Sequence, residues 1–267
     1  MTTPAPSSFF VRHEFLIRRL HSLSGLIPVG AYMVVHLLTN SLTAMGTEPF
    51  QNAVYQIHSL GPALPIVEWG FIFLPILFHA IVGVVIILSG KSNVTHYGYG
   101  ANWRYTMQRI TGMIAIVFFF GHVFHLHGWF HFDAWLEGIV KPLGGGRFSP
   151  YNATSSLAAA MQSSFVIPVL YAIGILSCIF HLFNGLWTMG ITWGVWVSPA
   201  AQVRAGWICL AGGLGLTAIS AVALFSPLRI DPEESESREN EMYEQRVEGG
   251  LVLPDEHKRS GHESPSN

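Results

Sequence analysis

The sequence predicts an all-α integral membrane protein, a bundle of five transmembrane helices with its N-terminus cytoplasmic and its C-terminus outside. Three observations predict it. Of 267 residues, 50% are hydrophobic and only 11% charged, against roughly 25% charged in a soluble domain. The acidic residues are unevenly placed: of 16, 11 follow Ile230, so residues 1–230 hold five beside ten Lys and Arg. Those first 230 residues also contain five stretches long and apolar enough to cross a bilayer, about 20 residues each. The chain thus divides into a membrane domain, 1–230, and an acidic tail, 231–267.

Taken in order, the spans are expected at about 21–43, 67–89, 107–129, 164–190 and 206–227. Charge alone delimits the third and fourth. No Asp, Glu, Lys or Arg lies between Arg109 and Asp133, or between Arg147 and Arg204. Glu68 falls at the very end of the second span, where a carboxylate can reach the interface. Basic residues set the orientation. Arg12, Arg18 and Arg19 precede the first span; Lys91, Arg104 and Arg109 sit in and after the second loop; Arg204 follows the fourth span. The first loop, 44–66, has none, and the third has Lys141 and Arg147. Positive charge collects on the cytoplasmic side, which places the N-terminus there. A cleavable signal peptide is not expected, because about twenty residues precede the first apolar run. The tail opens with DPEESESRENEMYEQR; it has too little apolar surface to fold alone and is expected to be disordered, or to form a short helix over 233–246. Cys178 and Cys209 lie in apolar runs and read as buried small residues.

The chemistry lies in the histidines. Of 13, His36, His79, His122 and His181 each fall well inside a different predicted span. Ionisable groups at such depth are costly and mark function. One alone would read as a hydrogen-bonded packing residue; four, one per helix, read as a cofactor site. At ~1.5 Å per residue, His36 and His122 lie roughly 22 Å from the cytoplasmic ends of their helices, and His79 and His181 roughly 14–15 Å. The histidines therefore sort into an outer pair, His36 with His122, and an inner pair, His79 with His181. Two levels, each with imidazoles from two helices, suit two bis-histidine hemes stacked across a bundle.

Neighbouring residues bear on this reading. Gly83 and Gly185 follow His79 and His181 by four, leaving room for a flat macrocycle or allowing ordinary close helix packing. Pro75, four before His79, should disturb its helix. Arg19, His21 and Ser22 open the first helix and Arg109 opens the third; these are candidate partners for heme propionates, although membrane anchoring explains the arginines equally well. His125 is a rival ligand one turn beyond His122. His127 and His131 read as residues of the outer interface, with a role in proton exchange open to one of them; His58 and His96 read as solvated loop residues.

These motifs resemble a known family. Arg18-Arg19-Leu-His-Ser-Leu-Ser-Gly-Leu-Ile-Pro-Val-Gly followed by His36-Leu-Leu-Thr-Asn is similar to the opening helix of the single-polypeptide, two-heme cytochrome b that anchors succinate dehydrogenases and the related quinol:fumarate reductases. Phe73-Leu-Pro-Ile-Leu-Phe-His79-Ala, Gln108-Arg109-Ile-Thr-Gly112, Gly121-His122-Val and Ile179-Phe-His181-Leu-Phe-Asn-Gly-Leu-Trp187 resemble the next three. The resemblance runs in order from Arg18 to Phe225; the acidic tail departs from it. It implies that the four histidines hold the iron of two heme b groups, with His21 and Ser22 near the inner propionates. It implies a protein of the cytoplasmic membrane, docked to a flavoprotein and an iron–sulfur subunit on the cytoplasmic face. Electrons would then pass through both hemes to a quinone, menaquinone or ubiquinone. Glu68 is the candidate proton donor at the quinone, with a plain interfacial carboxylate as the alternative. No nucleic-acid partner is expected, and the chain shows no site of its own for oxidising succinate.

Two other readings compete. One is a di-heme cytochrome b of a nitrate reductase or hydrogenase, which only the extended motifs oppose. The other is a transporter with a histidine proton relay, which should carry acidic partners deep in its spans; none is deep in any of them.

Overall fold

A computed structural model describes residues 9–90 and 94–260. Lys91, one of the basic residues used for orientation, and the last seven residues of the tail lie outside the described residues. Every regular element among the described residues is helical. Five helices are long and apolar enough to cross a membrane: Arg12–Met45, Gly61–Ser89, Gly100–Leu126, Val166–Thr192 and Pro199–Arg229. Their mean hydropathies run from 1.5 to 2.9. Side chains such as Leu88 (79% exposed), Ile208 (71%) and Val117 (71%) turn outward from the bundle, as a surface solvated by lipid tails requires. The chain is a multi-pass membrane protein.

The helices exceed the expected spans mainly at their polar ends, where hydropathy fades but the backbone ladder continues. The first begins at Phe9, about three turns earlier than expected, and its polar start is held by an Arg18–Glu14 ion pair. The second begins at Gly61, which places Glu68 inside the helix rather than at its end.

Two helices widen locally, over Gly25–Gly30 around Pro28 and over Glu68–Phe73 just before Pro75. Proline has no N–H, so a carbonyl one turn earlier loses its partner and the ladder re-forms with a longer step. The two wide turns lie against each other. Around the bundle the first span packs on the second, the third on the fourth, the fourth on the fifth and the fifth on the first. The second and third meet more sparingly, and the bundle is hollow where they do.

A cap covers the end of the bundle remote from the N-terminus. It is built from three helices, Thr47–His58, Ala153–Gln162 and Pro232–Glu248, packed on one another. The third lies in the acidic tail, where the sequence allows a short helix over 233–246. Asp231 caps it by accepting hydrogen bonds from the N–H groups of Glu233 (2.9 Å) and Glu234 (3.3 Å), and Pro232 fills its first turn. Its inward face is Ser235, Glu239, Met242 and Tyr243, all buried. Only two of these are apolar. The rest of that face is polar, so the helix is held in large part by polar contacts that its composition does not reveal.

Candidate functional site

The helices enclose a cavity of about 870 Å³ that reaches from Arg19 and Arg109 at the N-terminal end of the bundle to Glu68, His58 and His127 beneath the cap. All four span histidines line it, between walls that are otherwise mostly apolar.

The structure brings these histidines together in twos. The ring centres of His36 and His122 are 5.8 Å apart with planes at 81°; those of His79 and His181 are 6.0 Å apart at 90°. Two imidazoles that ligate one metal ion from opposite sides stand about 6 Å apart, taking bonds of about 2 Å and a ring radius of about 1 Å on each side. Both pairs have that spacing. Among the described residues no three His, Cys, Asp or Glu gather as a metal cluster. A pair of imidazoles makes a poor site for a free ion, but suits iron whose equatorial positions a porphyrin fills.

Three of the four rings are held from behind. Nδ1 of His79 lies 2.9 Å from the carbonyl oxygen of His21, and Nδ1 of His181 lies 3.1 Å from that of Gln108. A ring that donates from Nδ1 keeps Nε2 free as a ligand. The Gln108 side chain returns a bond to the carbonyl of His181 (3.0 Å) and accepts one from Asn184 (2.7 Å). Nδ1 of His122 instead faces a side chain, the hydroxyl of Tyr171, at 3.3 Å. His36 differs from the other three. Its Nε2 lies 3.4 Å from the amide nitrogen of Asn40, an amide also engaged at 2.8 Å on the His36 carbonyl.

Two glycines set the inner rings. A Cβ on Gly25 would stand 2.6 Å from Nδ1 of His79 and closer still to its Cε1, and one on Gly112 would stand 2.9 Å from Cε1 of His181. These two, rather than Gly83 and Gly185, back the histidine rings. Gly83 faces His21 and Gly185 faces Gln108, each at 3.2 Å, although both also line the cavity.

Arg19, His21, Ser22 and Arg109 all line the N-terminal end of the cavity. His21 stacks on His79 at 4.0 Å and 11°, and its own Nδ1 is buried with no hydrogen-bond partner. A buried ring nitrogen without a partner costs free energy, and a carboxylate entering the cavity would supply an acceptor to the tautomer protonated there. Arg109 donates to the carbonyl of Gly90 (2.9 Å) and the hydroxyl of Tyr105 (2.8 Å). Arg19 lies over the Trp193 ring, whose Nε1 donates to Ser22 Oγ at 3.1 Å.

At the capped end, His58 corrects its expectation: it closes the Thr47–His58 helix, lines the cavity and has a buried, unpartnered Nδ1. Burial, with Lys258 nearby, lowers its pKa to about 4. His127 likewise lines the cavity with a buried, unpartnered Nδ1, and burial beside His131 and His58 lowers its pKa to about 4. His125 turns to Tyr171 at 2.9 Å; the ring facing His36 is that of His122. His96 stays exposed, as expected.

No family model matches the chain. It is, however, 35% identical over 213 residues to the succinate dehydrogenase cytochrome b558 subunit of Bacillus subtilis (strain 168), a match covering 80% of this chain and 96% of that protein. The chain belongs to the family of succinate dehydrogenase cytochrome b subunits. About a fifth of it lies outside the match. For a cytochrome b subunit, a bundle with paired imidazoles at iron-ligating separation is the expected equipment, and heme b the group that the family implies.

Proposed function

We propose that this chain is the membrane anchor and electron-transfer subunit of a succinate:quinone oxidoreductase, holding two heme b groups between the first four spans. The observation that carries the proposal is the meeting of four buried imidazoles as two pairs, 5.8 and 6.0 Å apart, on one cavity wall system. In this reading His36 and His122 hold the outer heme iron, and His79 and His181 the inner. Bound heme supplies one-electron chemistry, which is what joins a succinate-oxidising flavoprotein and an iron–sulfur subunit to a membrane quinone.

The chain's own residues do the rest. His21, Arg19, Arg109 and Ser22 offer donors and positive charge to the inner propionates. Apolar walls keep water from the redox centres and lower the local dielectric. Glu68, half-buried in the cavity wall beneath the cap, is placed to deliver a proton to a quinone oxygen at the outer heme. The Arg-rich end faces the cytoplasm and the partner subunits, and the cap faces outward across the cytoplasmic membrane.

Purification in mild detergent with heme counted per chain tests this reading. Two hemes are expected. His36→Ala or His122→Ala should remove one spectral component, and His79→Ala or His181→Ala the other. A colourless chain, or full pigment in all four variants, would overturn it.

A further inference from the structure

The inner pair and His122 are held from behind by different chemistry. Behind the inner pair stand backbone carbonyls, at 2.9 and 3.1 Å from the Nδ1 atoms. No side-chain substitution can delete these acceptors. Behind His122 stands the hydroxyl of Tyr171, at 3.3 Å. That same hydroxyl lies 2.9 Å from Nδ1 of His125. Tyr171 is buried, so water does not compete for its one proton.

Chemistry fixes the direction of this chain of bonds. A histidine that binds iron through Nε2 carries its proton on Nδ1, so His122 donates to the Tyr171 oxygen. A phenol has one proton to give, and the remaining partner is Nδ1 of His125, which must then be an acceptor. His125 is itself tied down. The backbone of residues 146–148 runs along the end of the third span, with N–H groups of Gly146, Arg147 and Phe148 donating at 3.0 Å to the carbonyls of Phe124, His125 and Leu126. Phe118 packs on both His122 and Tyr171. The ring edge of His122 thus meets a fixed, polarised oxygen.

We propose that Tyr171 is a positioning residue for His122 which, through this hydrogen bond, sets the reduction potential of the outer heme independently of the inner one. The proposal rests on the assignment of His122 as an outer ligand. An acceptor at Nδ1–H pushes electron density onto the ligating nitrogen and favours ferric iron. The acceptor is strengthened in turn when its own proton is given to His125.

The test is spectroelectrochemical titration of the purified, heme-loaded protein. Tyr171→Phe removes one oxygen and keeps the ring. It should raise the outer midpoint by a threefold to tenfold change in the one-electron equilibrium, tenfold being 59 mV, while the inner midpoint stays in place. His125→Leu leaves Tyr171 present but takes away its acceptor, and should raise the same midpoint by less. This second variant decides the matter should Tyr171→Phe fail to retain the outer heme. An outer midpoint that does not move, that falls, or that moves together with the inner one overturns the proposal. A preparation without heme, or His122→Ala with both hemes, would instead overturn the ligand assignment, so the two failures are distinguishable.

Discussion

Gly25→Ala is a small change placed directly against the His79 ring. The new methyl carbon would stand 2.6 Å from Nδ1 of His79 and nearer to Cε1, well inside contact distance, so the ring must move. It cannot move freely: it stacks on His21 at 4.0 Å and its Nδ1 is held 2.9 Å from the His21 carbonyl. Displacing it costs the hydrogen bond, about 0.5–1.5 kcal/mol, and strain from overpacking, about 1–3 kcal/mol. It also draws His79 away from the 6.0 Å separation from His181. The expected result is selective loss or weakening of the inner heme, read by difference spectra and heme per chain, with the outer heme kept. Gly112→Ala, whose Cβ would stand 2.9 Å from Cε1 of His181, should do the same more mildly, since its clash is smaller. Gly121→Ala meets nothing within 4 Å and is the control. Full retention of the inner heme in Gly25→Ala, or equal loss in Gly121→Ala, would refute the reasoning.

Three further predictions concern the cap and the quinone. Glu239 is fully buried and accepts from Thr154 N (2.6 Å), Ser155 N (3.3 Å) and Ser155 Oγ (2.5 Å) at the start of the Ala153–Gln162 helix. Glu239→Ala should cost about 1–3 kcal/mol for each donor left unpaired and expose residues 232–248 to limited proteolysis; an unchanged cleavage pattern would contradict this. His58 and His127 both have pKa values lowered to about 4, so between about 6.5 and 4 the unfolded chain binds more protons than the folded one and stability falls as pH falls. Thermal denaturation should occur several degrees lower at pH 5 than at pH 7, with a smaller difference in His58→Gln; a higher midpoint at pH 5 would count against it. Glu68→Gln should slow quinone reduction by the assembled complex by about a hundredfold or more, the scale of a lost general acid, with both hemes intact, and unaltered turnover would remove Glu68 from the proton path.

The five helices were legible because a bilayer imposes the plainest of sequence constraints, some 20 apolar residues without charge. The pairing of His36 with His122 and of His79 with His181 was legible too, since alternating helix direction and a fixed rise per residue turn positions into depths. What escaped lay in polar contacts between distant segments. The Pro232–Glu248 helix buries Glu239 against backbone N–H groups some 85 residues away in the chain, and no hydropathy pattern encodes that. Composition favoured a solvated His58 for the same reason: the cap that buries it is made partly of the tail. Gly25 stood in a recognised motif, but its role, to let a ring from another helix approach, exists only in three dimensions. Tyr171 had no signal at all, being one aromatic residue in an apolar span.

Iron held by either histidine pair would stand between ring planes that are crossed, at 81° and 90°. Crossed axial planes leave two iron d orbitals nearly equal in energy, so the ferric low-spin state carries large orbital momentum and its electron paramagnetic resonance is strongly anisotropic. The oxidised, purified protein should show two such signals, one lost in His36→Ala or His122→Ala and the other in His79→Ala or His181→Ala. High-spin iron, the weakly anisotropic signal of parallel rings, or one component indifferent to all four substitutions would contradict the account.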